Sequence, residues 1–143
     1  MKLSEHFTLE EFVLSPTALR LEIDNTPSSS ALSNLQSLAI EILEPLRRAW
    51  GKPIVVSSGY RCRKLNDAVG GTKNSQHLEG SAADIHTLSD LPEDNKALFA
   101  LTVAMIRDGK LRVGQLIDEY HFNWIHISLP SGKRHNQILH LPS

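Results

Sequence analysis

The segment Ser75–Asp84, with the sequence SQHLEGSAAD, carries the pattern on which both the fold and the site depend. His77 lies in a loop, and Gly80 allows the chain to turn sharply or to approach another backbone closely. Residues Ser81–Thr87 are typical of a strand, on which Asp84 faces away from the core. A loop histidine and a strand aspartate can therefore fold back on one point.

This pair has the chemistry of a metal site. Imidazole nitrogen and carboxylate oxygen are good zinc ligands, and a catalytic zinc needs three protein ligands and one open position. The third candidate is His126, which alternation places on one face of the strand segment Trp124–Ser128. His86 shares a face with Asp84 and is a fallback ligand. Taken separately, each of these residues is more typical of an ordinary hydrogen-bonded side chain than of a ligand.

Outward from this segment, the periodicity predicts helices first and strands later. A first helix begins at residue 8 with a capping box closed by Glu11, and a second spans residues 28–50. Pro45 is expected to kink or shorten the second helix, and Gly51 to end it. Further helices are predicted at 62–68 and 93–108, and strands at 53–58, 81–87, 115–120, 124–129 and 135–141. This order favours an α+β fold with helices packed on one largely antiparallel sheet.

Length and charge narrow the class of protein. The 143 residues predict one domain over 1–143, and 15 lysines and arginines against 16 acidic residues leave a formal net charge of −1. Nothing in this balance favours a nucleic acid or a membrane as partner. The N-terminal sequence lacks the apolar region of a signal peptide, so we expect a chain that is cytoplasmic as synthesised.

Several short motifs, taken together, resemble one known family. They are, in chain order, SSGYR at 57–61, LN at 65–66, VGG at 69–71, SxHxxGxAxD at 75–84 and WIH at 124–126. They are similar to the zinc D-alanyl-D-alanine carboxypeptidase family, which includes phage endolysins and shares its fold with the Hedgehog signalling domain. The opening motifs at 7–12 and 24–27 resemble the phage and bacterial branch. The resemblance covers nearly the whole chain and implies a Hedgehog/DD-peptidase fold with Zn²⁺ as cofactor.

The resemblance also implies roles for individual residues. His77, Asp84 and His126 match the metal ligands of the family. Arg61 matches an arginine that faces the substrate carbonyl or carboxylate, where a guanidinium can stabilise an oxyanion; a surface ion pair is the alternative. Ser75 is expected either to hydrogen-bond the substrate or to hold the loop.

The general base is the point at which the match fails. Many members carry an acidic residue three positions before the last histidine ligand, where this chain has Asn123, which cannot take a proton from water. We predict Glu119 as the base, because a tight turn at 121–123 would bring this carboxylate across from His126. A solvated or supporting glutamate is the alternative. His121, in the turn, is a second candidate for the base or for a contact with the substrate.

The implied function is zinc-dependent hydrolysis of an amide bond in a peptidoglycan stem peptide or muropeptide. The bond is either D-Ala–D-Ala, as in a carboxypeptidase, or L-Ala–D-Glu, as in an endopeptidase. We expect a monomer, acting either as an endolysin released to the cell wall by a holin or as a muropeptide-recycling enzyme. Two rivals are a non-catalytic cell-wall-binding or structural domain stabilised by zinc, which Asn123 favours, and a thiol enzyme using Cys62.

Overall fold

The elements of the chain follow the predicted order of helices before strands. The structure, a computed structural model, describes residues 1–132 and 134–142. The helices are α1 (Leu9–Val13), α2 (Pro16–Arg20), α3 (Ser29–Leu38), α4 (Glu44–Trp50), α5 (Arg63–Ala68) and α6 (Pro92–Arg107), with a π-helical turn at Ala39–Leu43 and a 3₁₀ turn at Gln76–Glu79. The strands are β1 (Ile54–Ser58), β2 (Ala82–Thr87), β3 (Gln115–Glu119), β4 (Trp124–Ser128) and β5 (Gln137–Leu141). Among the described residues, no helix has the length and apolar character needed to span a membrane.

The strands form one sheet in the order β1-β2-β4-β3-β5. The first three pairings are antiparallel, and β5 runs parallel to β3 at the edge. The predicted α+β fold with a largely antiparallel sheet is therefore confirmed. The edge strand begins at Gln137 and not at His135, because Asn136 has a left-handed backbone (φ 50°) and its side-chain oxygen accepts a hydrogen bond from Val113 N.

The two faces of the sheet have different chemistry. Side chains on one face, among them Ile85, Ile125 and Ile127, are fully buried in the same core as apolar residues of the helices. On the other face Asp84, His126 and Ile117 lie side by side, since Asp84 pairs with His126 and His126 with Ile117. Alternation along the strands thus separates the core from the polar site.

The long helical segment adapts to the proline within it. Pro45 has no N–H to donate and would clash with the preceding turn of a regular helix. The chain widens into the π-helical turn at Ala39–Leu43 immediately before it, and the segment continues to Gly51, whose φ of 76° ends the helix. Helix α2 was not predicted; it begins with Pro16 in its first turn, capped by the Ser15 side chain.

The connection between β3 and β4 is one residue longer than the predicted turn. Tyr120, His121 and Phe122 all have positive φ values, between 52° and 64°. This unusual backbone is held from α6 by Asn95, a fully buried side chain whose Nδ2 donates to the Phe122 carbonyl at 2.9 Å. The Asn95 Oδ1 atom also accepts from Thr87 N at 2.9 Å. One amide therefore joins the helix, the end of β2 and the hairpin turn.

A buried carboxylate attaches the N-terminal segment to α4. Glu44 is 3% exposed; its Oε1 atom accepts from Ser4 Oγ (2.8 Å) and His6 N (2.7 Å), and its Oε2 atom lies 2.6 Å from His6 Nδ1. Burial raises the pKa of Glu44, but the hydrogen bonds from His6 and Ser4 outweigh burial and hold the pKa below its ordinary value. The ionised carboxylate is thus favoured in the folded chain.

Replacing Glu44 by glutamine is expected to lower the free energy of unfolding at pH 7 by about 2 kcal/mol, because hydrogen bonds to a buried charge are weakened or lost. A depressed folded-state pKa stabilises the protein above the unfolded-state pKa, and this stabilisation is lost as the pH falls through the folded-state value. The difference between variant and parent should therefore shrink in acid. Urea unfolding at several pH values measures it, with Glu41→Gln, an exposed site nearby, as control. Equal stabilities of Glu44→Gln and the parent at pH 7 would contradict this prediction.

Candidate metal centre and active site

His77 is placed by the short turn that precedes β2. The Ser75 side chain accepts from His77 N at 3.2 Å and so caps the turn, which ends at Gly80. Gly80 has a φ of 72°, and a Cβ atom there would lie 2.6 Å from the Ala31 carbonyl oxygen of α3. Only glycine meets both conditions. The chain therefore folds back tightly enough to bring His77 over the sheet.

The three predicted ligands meet at one point. Asp84 Oδ1 lies 3.4 Å from His77 Nε2 and 3.1 Å from His126 Nδ1. One ligand atom from each residue lies within 4.8 Å of the others. Ligands bonded tetrahedrally to zinc at about 2.0–2.1 Å are separated from each other by roughly 3.3 Å. The donor set and its spacing fit a zinc ion with three protein ligands, the pattern of catalytic sites.

The electrostatics of the centre favour metal binding. Burial raises the pKa of Asp84, but close contacts with the ring nitrogens of His126 and His77 outweigh burial and hold the pKa well below its ordinary value. The carboxylate is therefore ionised, as a ligand must be. The His77 and His126 rings are almost perpendicular, at 71°, with centroids 5.3 Å apart.

Each histidine has an oxygen partner on the nitrogen that points away from Asp84. The Nδ1 atom of His77 lies 2.6 Å from the Gly59 carbonyl oxygen, and the Nε2 atom of His126 lies 3.1 Å from Gln76 Oε1. Such partners set which ring nitrogen carries the proton and fix the orientation of the ring. For His77, donation to Gly59 leaves Nε2 free for a metal.

Arg61 is held beside the centre by its own hydrogen bonds and by those that Asn25 makes to its two neighbours in the chain. Its N–H donates to the His77 carbonyl at 3.0 Å, and its Nη2 atom lies 3.4 Å from Ser75 Oγ. Asn25 holds the residues on both sides, because its Nδ2 donates to the Tyr60 carbonyl and its Oδ1 accepts from the N–H of the residue after Arg61. Ser75 therefore holds the loop, as one of its two predicted roles requires.

The charge of Arg61 points into the site. Burial lowers the pKa of Arg61, while Asp84 and Glu119 act in the opposite direction, so the guanidinium remains a cation between two carboxylates. Its Nε atom is buried without a hydrogen-bond partner within the described part of the chain. A buried donor of this kind is costly unless it meets an acceptor. Arg61 also lines the cleft, so its guanidinium group is available to a carbonyl or carboxylate oxygen bound there.

The two candidate general bases, Glu119 and His121, lie in different places in the β3–β4 hairpin. Glu119 pairs with Trp124 across β3 and β4, and its Oε2 atom accepts from the indole N–H at 3.0 Å. Glu119 lies on the same face as Ile117 and lines the cleft around the centre. His121 and Asn123 are exposed in the turn and are not among the residues lining the cleft. The structure thus places Glu119, but not His121, in the lining of the cleft.

The centre lies in an open cleft of about 720 Å³. That volume suits a small organic ligand or a short peptide. Its lining includes all three candidate ligands, together with Arg61, Ser75, Gln76, Lys73, Gln115, Glu119, Tyr120, Trp124 and Arg134. It carries cations, carboxylates and aromatic rings within one concave surface.

The remaining candidates lie elsewhere. His86, the fallback ligand, is not part of the cluster; its Nδ1 atom lies 2.6 Å from the carbonyl oxygen of Thr87 and 3.4 Å from Asp90 Oδ1. Cys62 caps α5, with its sulfur accepting from Leu65 N, and does not line the cleft. Its position gives no support to a thiol enzyme.

Comparison with known proteins assigns the chain to a family. The sequence profile described as Peptidase M15 matches residues 5–128, which include all three candidate ligands, Arg61 and Glu119. The chain belongs to the peptidase M15 family. The resemblance to zinc D-Ala-D-Ala carboxypeptidases is thereby confirmed at the level of the family.

One relative matches the chain over a shorter stretch. A segment of 44 residues is 48% identical to part of the zinc D-Ala-D-Ala carboxypeptidase of Streptomyces albus G. The match covers 30% of this chain and 17% of the relative.

Some residues of this M15 site were not predicted from sequence. Gln76 and Gly59, which contact the candidate ligands, and Asn25, which clamps the Arg61 loop, have no side-chain chemistry that marks them as functional. Asn25 and Gly59 lie inside the motifs that carried the family resemblance, and that was the available signal. Their physical roles depend on contacts between distant parts of the chain.

Proposed function

We propose that this M15 protein is a zinc-dependent peptidase that hydrolyses an amide bond in peptidoglycan stem peptides. One observation carries the proposal: His77, Asp84 and His126 converge, with ligand atoms within 4.8 Å of one another, in a cleft that also contains Arg61 and Glu119. Metal ligands, a fixed cation and a carboxylate in one cleft are the parts that metal-assisted amide hydrolysis requires. A zinc ion held there supplies a Lewis acid for the substrate carbonyl and lowers the pKa of a bound water toward ~7.

Glu119 is the proposed general base. Its Oε2 atom is engaged by the Trp124 indole N–H at 3.0 Å, which orients the carboxylate and leaves the Oε1 atom available to accept a proton. Because Ile117 lies directly opposite His126, Glu119 is one pleat, roughly 7 Å, further along the same face. Its carboxylate lines the cleft that also holds the three candidate ligands. The proton taken from water is then passed to the amine that leaves.

Arg61 is the proposed electrophilic residue. Its guanidinium is positioned by Ser75 and by the backbone of His77, so little reorganisation accompanies the reaction. The partly satisfied guanidinium can donate to the oxygen of the scissile carbonyl as negative charge develops on it. The same group can bind a terminal carboxylate. Ser75 also lines the cleft, where its hydroxyl hydrogen is available to the substrate.

The substrate assignment is supported by the family and by the relative from Streptomyces albus G, a zinc D-Ala-D-Ala carboxypeptidase. Two bonds fit the same machinery: the terminal D-Ala–D-Ala bond and the L-Ala–D-Glu bond near the glycan. The cleft is open, so it is compatible with an internal bond as well as with a chain end. Cleavage assays on peptides that carry either bond therefore decide between the two alternatives.

The test combines metal content with product analysis. The purified protein is expected to contain one zinc ion per chain and to cleave one of two synthetic stem peptides, which carry either the D-Ala–D-Ala or the L-Ala–D-Glu bond. Mass spectrometry identifies the products, and a chelator should abolish cleavage while added zinc restores it. The rates at which intact cell walls and soluble muropeptides are cleaved are then compared.

Other results would contradict the proposal. A protein that neither contains nor takes up zinc would exclude a zinc peptidase. A zinc-loaded protein that binds cell walls but cleaves neither peptide would favour the non-catalytic domain, the alternative that Asn123 supports.

A further inference from the structure

Gln76 lies between the cap of the turn and the first candidate ligand, and its side chain reaches the last one. Its Oε1 atom lies 3.1 Å from Nε2 of His126, fifty residues away in sequence. The side chain is half-buried and forms part of the cleft lining. Two candidate ligands are therefore linked by one residue that is not itself a ligand.

The backbone of Gln76 is rigidly held, which gives this contact a defined geometry. Its carbonyl oxygen accepts from Ser81 N at 3.2 Å and from Ser81 Oγ at 3.1 Å. It also accepts from the N–H of Gly80, the residue that closes the turn. These bonds join both ends of the turn, so the glutamine side chain projects from a fixed point.

The chemistry of an imidazole ring explains why an acceptor is required here. A neutral histidine carries one proton, and a nitrogen that binds a metal must be the one without it. The Nδ1 atom of His126 is the one that faces Asp84 Oδ1, at 3.1 Å, within the ligand cluster. When Nδ1 is the ligand atom, the proton lies on Nε2, and Gln76 Oε1 is the acceptor aligned with it.

We propose that Gln76 is a positioning residue that accepts the Nε2 proton of His126 and so holds the ring with Nδ1 free for the metal. This inference rests on the proposed zinc function. It assigns to Gln76 the part that the Gly59 carbonyl plays for His77. Each histidine of the centre then has its non-ligand nitrogen satisfied by oxygen, one from the main chain and one from a side chain.

The test compares zinc affinity among variants, measured by competition with a chromophoric chelator. Gln76→Met, which keeps the length but loses the acceptor, is expected to weaken zinc binding roughly 10- to 100-fold. Gln76→Glu keeps an acceptor at the same place and should restore most of the affinity. Gln115→Met is the matched control, because Gln115 lines the same cleft but contacts Gln137 and Arg134 instead of a ligand. That variant should bind zinc as the parent does.

A second readout reports the ring itself. In the zinc-loaded, ¹⁵N-labelled parent, the Nε2–H of His126 should be visible by NMR and protected from exchange, and Gln76→Met should lose that protection. The unfolding temperature of the metal-free variants should match that of the parent. If Gln76 acted in substrate binding alone, Gln76→Met would raise KM and leave zinc affinity unchanged.

The outcomes separate this inference from the proposed function. Weaker zinc binding in Gln76→Met, recovery in Gln76→Glu and an unaffected Gln115→Met support it. A parent that binds zinc together with a Gln76→Met variant that binds it equally well overturns the role of Gln76 and leaves the peptidase proposal standing. A parent that binds no zinc overturns both.

Discussion

Substitution of His77 by alanine is expected to weaken zinc binding by roughly a hundred- to a thousand-fold. Structural zinc sites with four protein ligands bind the metal with about 10–16 kcal/mol, so one protein ligand contributes roughly a quarter of that free energy. Peptide cleavage should fall to background at zinc concentrations that saturate the parent protein. His77 is 3% exposed, and its Nδ1 atom is already held by the Gly59 carbonyl. The imidazole ring of the parent protein can therefore bind the metal without rearranging. Chelator competition and the peptide assay measure the two losses separately.

The matched control for this experiment is His86→Ala. His86 lies on the same face of β2 as Asp84, but its contacts are with Thr87 and Asp90, outside the ligand cluster. Its removal should leave zinc affinity and cleavage unchanged. Zinc binding that survives in His77→Ala and fails in His86→Ala would show that the metal is held by a different set of residues.

Replacement of Glu119 by glutamine is expected to lower kcat by about 10²–10⁴-fold, the usual contribution of a positioned general base. The amide keeps an acceptor for the Trp124 indole, so the hairpin and the shape of the cleft should be preserved. Because Glu119 is not among the candidate ligands, zinc affinity should stay within the range of the parent. A loss of kcat at full zinc occupancy is the signature of the proposed role.

His121→Ala is the companion variant, since His121 was the other candidate for the base. The side chain is exposed in the hairpin turn and does not line the cleft, so the variant should retain the activity of the parent. The assignment would be reversed if His121→Ala lost activity and Glu119→Gln kept it. A pair of fully active variants would require a base from another part of the cleft.

Local sequence patterns were sufficient for most of the fold. Alternation at 81–87 and 124–129 and the three- and four-residue spacing at 28–50 depend only on which side chains face a core, so the elements could be predicted to within a few residues. The turns were less predictable. The left-handed backbone at Tyr120, His121 and Phe122 is unfavourable locally and is held by Asn95 from a distant helix. The π-helical turn before Pro45 was also not predicted; the segment continues through it to Gly51, with Ala39, Ile42 and Leu43 buried in the core.

The residues of the site likewise fall into those that sequence patterns predict and those whose contacts only packing decides. The identities of His77, Asp84 and His126 as candidate ligands followed from residue types and their spacing, because few side chains bind zinc and the glycine and alanine residues between them have steric reasons to be there. That Asp84 and His126 meet is a property of strand register, in which these two residues pair, and His77 joins them through the turn that ends at Gly80. Register is set by the burial of the whole opposite face and not by any one motif.

The side-chain partner of His126 came from the fold alone. Gln76 is a common polar residue, and nothing in its local sequence indicates which atom it meets. Glu119 was predicted from the hairpin between β3 and β4, but its contact with the Trp124 indole was not. Gln76 reaches His126 because the turn before β2 folds over the sheet, and Glu119 enters the cleft because the β3–β4 pairing places it beside Trp124. The ligand types can be identified from the sequence because they are a matter of chemistry. Their supporting atoms cannot, because they are a matter of distances between segments that only packing brings together.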